Sequence, residues 1–224
     1  MDAALLQKSP LFDGITTEEI ERLLHCLGGR IKRYAKGDFI FHAGTVLRQI
    51  GLVVSGKVQV VKEDYWGNRL IFSSMEQGQL FGESYACLPR EPLEVSIVSA
   101  ADCEVLFLDL EHAISVCSCA CGFHMRLIRN LMTILAKHNL NLTRKVQHMG
   151  QKTTREKLLA YLWSVSQKEQ SQEFDIPYNR QELADYLAVD RSAMSAELSR
   201  MKTEGLLEFH KNHFRLTEHS MEDC

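Results

Sequence analysis

Residues 180–201, RQELADYLAVDRSAMSAELSRM, decide how the rest of this chain is interpreted. Leu183 and Leu187 are four residues apart, which places them on one side of a short helix. Ala188–Asp190 interrupts that pattern. The Asp190 carboxylate is suited to cap a second helix, because it can accept hydrogen bonds from the free amide groups of the next turn. The stretch therefore predicts two short helices joined by a tight turn.

The second predicted helix begins at Arg191 and has two different sides. Apolar residues share one face, whereas small, hydroxylated and basic residues occupy the other. Small side chains permit close approach to a major groove, hydroxyls bond base edges or phosphates, and arginine can bind guanine through two hydrogen bonds. The apolar side consists of Met194, Leu198 and Met201, and the polar side of Arg191, Ser192, Ser195, Ala196, Ser199, Arg200 and Lys202.

A short hairpin is predicted after the two helices, since Leu206–His210 and His213–Leu216 flank a Lys211-Asn212 turn. Two helices and a hairpin make a winged helix-turn-helix, and we interpret the unit as DNA-binding. The alternative is a helical hairpin used only for packing or dimerisation. The residues expected to reach bases or phosphates are Arg191, Ser192, Ser195 and Ser199, and those expected at phosphates are Arg180, Lys202, Lys211 and His213.

The composition is compatible with DNA binding but gives no basic signature. The net charge is −3, and residues 151–224 contain ten Lys/Arg and thirteen Asp/Glu. Phosphate affinity must therefore come from a local face, and it should fall steeply with salt. No apolar run is long enough to span a membrane, and residues 1–14 show no signal-peptide pattern. Seven cysteines without a secretory signal predict reduced thiols and a cytoplasmic location.

Residues 30–110 show the pattern of short strands. Glycines at 37, 44, 56 and 82 separate alternating segments, and Ser55-Gly56-Lys57 is a hairpin signal. This spacing predicts an antiparallel sandwich or barrel. The predicted strands are 30–35, 39–41, 50–54, 58–61, 69–74, 80–83, 95–98 and 103–108.

With Phe81-Gly82-Glu83 late in the series, these strands resemble a cyclic-nucleotide-binding β-roll. Together with the winged helix-turn-helix, the chain resembles the Crp/Fnr family of bacterial transcription regulators, whose usual sequence is close to Arg180–Ala184 and Asp190–Ser192. The resemblance covers nearly all 224 residues, and the order of the two domains is its most diagnostic feature.

The resemblance implies an α+β fold of three parts. They are an antiparallel, jelly-roll-like β-roll that senses an effector (residues 1–121), a long dimerisation helix (122–149) and a winged helix-turn-helix domain (150–224). The implied partners are double-stranded DNA with a palindromic operator, a second copy of the chain, and RNA polymerase. Many family members have an arginine where this chain has Ala196, so this chain lacks one guanine contact that the resemblance would imply.

The roll departs from the members that bind cyclic AMP. Those members have an Arg-Ser pair that neutralises the cyclic phosphate, while the glutamate of the Phe-Gly-Glu turn binds the ribose hydroxyl. This chain keeps Gly82 and Glu83 but has Leu93-Glu94 at the matching place, and neither side chain can bond a phosphate anion. Glu83 is either an effector-pocket residue or a polar group that satisfies the roll's own turn, and we favour the second. We expect that cyclic AMP does not bind at micromolar concentration and that the effector is another small molecule or a redox signal.

A cysteine-rich segment follows the predicted strands. Cys117, Cys121 and His124 would share a helical face, a geometry that suits a metal or a reactive thiol pair. Fnr-type members hold an iron–sulfur cluster through cysteines near the N-terminus, where this chain has only Cys26. The alternative, which we favour, is a set of small buried hydrophobic residues. The complete candidate set is Cys117, Cys119, Cys121 and His124, with Cys26, Cys87 or Cys103 as a further thiolate.

Residues 122–149 form the longest helical pattern. Ile128, Leu135, Leu142 and Met149 recur every seven residues, beside Leu131, Met132 and Val146, which indicates a coiled-coil-like seam with Asn139 to fix its register. A helix of about 40 Å cannot hide this stripe against one small roll. We therefore predict homodimerisation rather than intramolecular packing, so that two recognition helices meet the half-sites of a palindrome.

The rival class is a metal-dependent or ligand-binding cupin-like protein whose C-terminal helices serve only packing. A metal-dependent cupin needs several histidines and a carboxylate inside the barrel, whereas this roll region supplies only His42. We therefore predict that the chain is not an enzyme.

Overall fold

The computed structural model describes residues 3–63, 69–88, 90–110 and 122–217. The chain divides into two compact units, Met1–Lys137 and His138–Cys224, and the division falls within the long helix. The predicted α+β fold class, with antiparallel sheets, a long helix and a C-terminal helix-turn-helix, is confirmed.

The first unit is built on two four-stranded antiparallel sheets. One has the strand order β1-β8-β3-β6 and the other the order β2-β7-β4-β5. The strands correspond to the eight predicted segments, except that Glu83 begins a short helix instead of ending β6. Their bounds are β1 Arg30–Tyr34, β2 Phe39–Phe41, β3 Gln49–Ser55, β4 Val58–Glu63, β5 Arg69–Met75, β6 Leu80–Phe81, β7 Ser96–Ser99 and β8 Cys103–Asp109.

Strand β3 shows why the sheets close around an apolar core. Residues Ile50–Val54 are all buried, as expected for a central strand covered on both faces. Gly51 pairs with Phe81 on β6, and a Cβ at Gly51 would lie 2.1 Å from the Phe81 ring. Any larger residue at this position would therefore displace the Phe81 ring from its place in the core.

Helices cover the roll. They are α1 (Ala3–Leu6), α2 (Thr17–Cys26), α3 (Glu83–Ala86) and the long helix α4 (Gly122–Met149), with a 3-10 turn at Pro10–Phe12. Thr16 caps α2 through a capping box with Glu19. Leu127, Leu131 and Ile134 of α4 are buried in the same core as the strands. The prediction that Leu131 lies beside the dimer seam is therefore wrong, because its side chain packs within the protomer.

The second unit is a three-helix core with a small sheet. Its elements are α5 (Thr154–Glu169), β9 (Glu173–Asp175), α6 (Arg180–Leu187), α7 (Arg191–Thr203), β10 (Leu207–His210) and β11 (His213–Leu216), and the sheet order is β10-β11-β9. Strand β9 pairs antiparallel with β11. In the parts of the chain that the structure describes, no helix is both long and apolar enough to cross a membrane.

Candidate nucleic-acid interface

The two helices of the candidate site are fixed by side-chain caps. Asn179 Oδ1 accepts from the backbone amides of Gln181 and Glu182, at 2.9 and 3.0 Å, and the Glu182 carboxylate accepts from the Asn179 amide at 2.8 Å. This reciprocal pair begins α6. Ala188 ends α6 with φ at +50°, in the left-handed region that favours glycine. Its small side chain is compatible with this sharp change of direction before α7.

The predicted cap of α7 is confirmed. Asp190 Oδ1 accepts from the Ala193 amide at 2.8 Å and from the Ser192 hydroxyl at 2.5 Å. These hydrogen bonds, that of Ser192 first, hold the pKa of Asp190 below its ordinary value. An ionised carboxylate at this helix start stabilises the free amides and orients the first turn of α7.

Helix α7 has the two sides that its sequence predicts. Met194, Leu198 and Met201 are buried in the core of the second unit. The predicted polar side is exposed, with Ser195 half-buried; the exposed members are Arg191, Ser192, Ala196, Ser199, Arg200 and Lys202.

The hydroxyls on this side donate to their own chain. Ser192 donates to Asp190, and Ser199 Oγ donates to the Ser195 carbonyl at 3.0 Å. Because a hydroxyl oxygen keeps its lone pairs while it donates, both serines can still accept from base amino groups. In this arrangement the oxygens of both side chains remain available as hydrogen-bond acceptors.

An ion-pair network that the sequence analysis missed ties α7 to α5. Arg155 Nε lies 2.6 Å from Glu197 Oε1, and Arg155 Nη1 lies 2.7 Å from Glu204 Oε2. Arg200 Nη1 lies 3.0 Å from the other Glu197 oxygen. The hydrogen bonds with Glu204 and Glu197 raise the pKa of Arg155 above its ordinary value. The sequence signal was the spacing of Glu197 and Glu204, which places two carboxylates on one side of α7.

Two predicted phosphate contacts pack against aromatic rings of the wing, the hairpin formed by β10 and β11. The Arg180 guanidinium lies 4.7 Å from the Phe209 ring centre and 5.1 Å from that of Phe214. Lys202 Nζ lies 5.3 Å from the Phe209 ring. Burial lowers the pKa of Arg180, as expected for a guanidinium that is partly removed from water. Both cations thus connect the helix pair to the wing, and their contact with phosphate stays a prediction.

The two remaining residues predicted to contact phosphate, Lys211 and His213, have different surroundings in the wing. Lys211 is exposed at the hairpin turn with φ at +55°. His213 lies between two carboxylates, with Nε2 3.0 Å from Glu173 and Nδ1 3.1 Å from Asp175. These hydrogen bonds, that of Glu173 first, raise the pKa of His213. Lys211 is therefore directed to solvent, whereas His213 bridges β11 and β9.

The candidate effector residues lie in the roll. Gly82 has φ at +77° and precedes helix α3, which begins at Glu83. Glu83 is buried. Leu93, at the place where cyclic-AMP-binding members have arginine, is only 3% exposed and belongs to the roll core, while Glu94 is exposed. The structure therefore places an aliphatic side chain inside the protein at that position.

The cysteine prediction falls mainly outside the described residues, since Cys117, Cys119 and Cys121 are not among them. His124 is buried, and its Nδ1 has no hydrogen-bond partner within the described parts of the chain. Cys103 is buried with its Sγ 3.1 Å from Ser99 Oγ, whereas Cys26 and Cys87 are exposed. Within the described ranges, no three His, Cys, Asp or Glu side chains are grouped to hold a metal ion.

Two protein-family models match this chain, in the same order as its two units. The cyclic nucleotide-binding domain matches residues 31–118, and the Crp-like helix-turn-helix domain matches residues 156–221. The Cyclic AMP receptor protein of Thermus thermophilus is 31% identical over 135 residues, which are 60% of this chain and 55% of that protein. The match thus spans about half the length of this curated relative.

Solved structures show the same fold. The c-di-GMP responsive global regulator CLP of Xanthomonas campestris is 21% identical, with a TM-score of 0.56 over 88% of this chain and 97% of that one. CprK complexed with OCPA is 16% identical, with a TM-score of 0.66 over 91% of this chain and 94% of that one. At these identities the likeness establishes the fold alone. The two domain matches, in this order and on this fold, place the chain in the Crp/Fnr family of transcription regulators.

Proposed function

We propose that this chain is a homodimeric transcription regulator that reads a palindromic operator through α7, under the control of a signal other than cyclic AMP. The observation that carries the proposal is the placement of α7. Its apolar residues are in the core, its start is capped by Asp190, and its small and basic side is exposed. A helix in this state can enter a major groove without any rearrangement of its own unit.

Arg191 is the strongest candidate for base readout. It is the first residue of α7 and is exposed, whereas Arg200 is paired with Glu197 and Arg180 is packed on the wing. In helix-turn-helix proteins the N-terminal residues of the second helix meet base edges first. A guanidinium there can bind guanine O6 and N7 together.

The test begins with selection of an operator from random duplexes, followed by affinity measurement for the Arg191→Ala variant. We expect a loss of about 1–3 kcal/mol in specific binding, the range for one bidentate base contact. Lys168→Ala is the matched control, because Lys168 is exposed at the far end of α5. Undiminished affinity of Arg191→Ala for the selected operator would show that Arg191 reads no base.

The dimer is proposed from the second face of α4. Its core face, with Leu127, Leu131 and Ile134, is buried within the protomer. On another face, Met132 is 65% exposed and Leu142 65% exposed. Two rows of α4 follow a heptad spacing. One contains Met125, Met132, Asn139 and Val146, which are all exposed, and the other contains Ile128, Leu135, Leu142 and Met149, of which Leu142 is exposed and the rest are half-buried. Leu135 packs partly against the roll core.

An exposed apolar stripe with this spacing is the pattern of a two-stranded coiled coil. Asn139 within the stripe favours one register and a dimer, since its amide is satisfied only opposite a matching polar group. A two-fold axis along paired α4 helices would present two α7 helices to half-sites about 34 Å apart.

Sedimentation equilibrium of the Leu142→Glu variant tests the dimer. A carboxylate in the seam would face its own copy across the axis, so we expect the variant to sediment as a monomer where the parent is a dimer. Lys137→Glu introduces the same residue on α4 outside the heptad rows and should leave the dimer intact. A Leu142→Glu protein that remains dimeric would exclude this seam as the interface.

The signal is proposed to act in the first unit, as a small molecule at the roll or as oxidation or metal binding at Cys117, Cys119, Cys121 and His124. Burial of His124 supports the second source, because its Nδ1 has no hydrogen-bond partner among the described residues and a buried unpaired nitrogen is costly. Metal analysis of anaerobically purified protein and thiol titration after peroxide test it. Absence of metal together with unreactive thiols would leave the small molecule. Contact with RNA polymerase is proposed from the family alone.

A further inference from the structure

Arg155 joins α7, the candidate reading helix, to α5 through two ion pairs, one with Glu197 and one with Glu204. Arg155 lies in the first turn of α5, and its guanidinium contacts both Glu197 and Glu204. These glutamates are seven residues apart, or about two helical turns. One planar side chain therefore holds α7 both at Glu197 and at its C-cap residue Glu204, which restricts both rotation of the helix about its axis and sliding along it.

Glu197 is the centre of this network. Its side chain is 13% exposed and accepts from Arg155 through one oxygen and from Arg200 through the other. The Arg200 side chain is 69% exposed. Without Glu197, Arg200 would be an uncommitted cation on the outer surface of α7, free to bind any phosphate. With Glu197 ionised, much of that cation's charge is compensated within the protein.

We propose that Arg155 and Glu197 are positioning residues for operator recognition, in which Arg155 fixes α7 and Glu197 restrains Arg200 from sequence-independent phosphate binding. The inference rests on the proposed function, since it assigns these residues to the DNA affinity of α7. It explains how a reading helix that carries several basic residues avoids strong attraction to every duplex. Arg191, which the network does not include, keeps the exposed position for base contact.

The inference predicts a specific change in salt dependence. Each phosphate contact releases condensed counterions and adds about 0.9 to the magnitude of the slope of log K against log salt. Glu197→Gln removes the charge but keeps the size of the side chain, so Arg200 becomes available. We expect its slope on a scrambled duplex to steepen by about 0.9, with a higher affinity for that duplex and a lower ratio of operator to scrambled binding.

The experiment uses the full-length protein, the selected operator and a scrambled duplex of equal length, each titrated at several salt concentrations. Four variants are compared with the parent: Glu197→Gln, Arg200→Gln, the Glu197→Gln/Arg200→Gln double variant and Arg155→Lys. The double variant should return to the slope of Arg200→Gln, because the released cation is gone. A role confined to stability would weaken both duplexes without steepening either slope, and thermal melting measures any loss of stability separately.

Arg155→Lys tests the positioning role. Lysine keeps the charge but cannot contact two carboxylates with a rigid fork. We expect operator affinity to fall by roughly five- to tenfold while the scrambled duplex binds as before. An equal effect on both duplexes would overturn the positioning role of Arg155.

The outcomes separate this inference from the proposed function. A parent protein that selects no operator overturns the proposed function and this inference with it. A parent that selects an operator, combined with an unchanged salt slope in Glu197→Gln or a steepened slope that persists in the double variant, overturns the role of Glu197 alone.

Discussion

Two helix starts in this protein carry family sequence motifs, and packing has placed them in opposite environments. Helix α3 begins at Glu83 after Gly82, and Glu83 is buried within the roll. Helix α7 begins at Arg191 after Asp190, and Arg191 is exposed. Only the second motif leaves its charged side chain accessible to a large ligand.

The surroundings of the two sites extend this contrast. At the roll, the position expected to neutralise a cyclic phosphate is Leu93, which is part of the core. At α7, the apolar residues are in the core and the polar ones point outward. A motif therefore shows ancestry, whereas burial and the identity of the facing residues determine which ligand chemistry is retained.

The largest change in the free energy of unfolding is expected within α7, where the neighbouring residues Leu198 and Ser199 are buried and exposed, respectively. Leu198→Ala should destabilise the second unit by about 2–5 kcal/mol, because it empties part of a close-packed core. Ser199→Ala should change stability by no more than about 0.5 kcal/mol. Urea unfolding followed by circular dichroism measures both. Similar losses for the two variants would mean that α7 is not divided into a buried and an exposed side.

A smaller effect on stability is expected from two histidines of the second unit, one partly exposed and one buried, whose pKa values shift in opposite directions. The carboxylates of Glu173 and Asp175 raise the pKa of His213 above 6.5, so its stabilisation is complete below pH 6.5 and is lost as the pH rises through the raised pKa. Burial, with a smaller effect of Arg144, lowers the pKa of His148 below 6.5, so its contribution is complete above pH 6.5 and is lost as the pH falls.

Thermal melting between pH 5 and 8 checks both signs. His213→Asn should reduce the fall in melting temperature on the alkaline side only. His148→Phe should flatten the loss on the acidic side only, although it also removes the hydrogen bond between Nδ1 and the Tyr186 hydroxyl at 3.0 Å. If the melting temperature of His213→Asn still falls on the alkaline side as in the parent, the contacts of His213 with Glu173 and Asp175 do not cause that fall.

The smallest effect is expected at the roll, where cyclic AMP should leave the protein unchanged. A ligand at one hundred times its dissociation constant stabilises the folded state by about 2.7 kcal/mol. We expect no shift in melting temperature with cyclic AMP at high micromolar concentration, because Leu93 cannot bond the phosphate. Calorimetry that detects micromolar binding would remove the contrast between the two helix starts.

The local parts of this structure followed directly from the sequence. The Asp190 cap, the apolar stripe of α7, the bounds of α4 and most strand positions depend on residues close together in the chain. Such features are encoded by side-chain periodicity and capping chemistry within a few residues.

Long-range contacts were decided only by the tertiary structure. The Arg155–Glu197 pair joins residues 42 positions apart, and strand β1 pairs with β8, whose partner residues lie 69 to 77 positions later. The exposed or packed state of Arg180 depends on Phe209 and Phe214, which sequence spacing does not bring to it. The sequence by itself therefore determined the family, the element types and the two different sides of α7. The availability of each charge for DNA was set by tertiary packing, because the partner that neutralises or buries a side chain is usually distant in the chain.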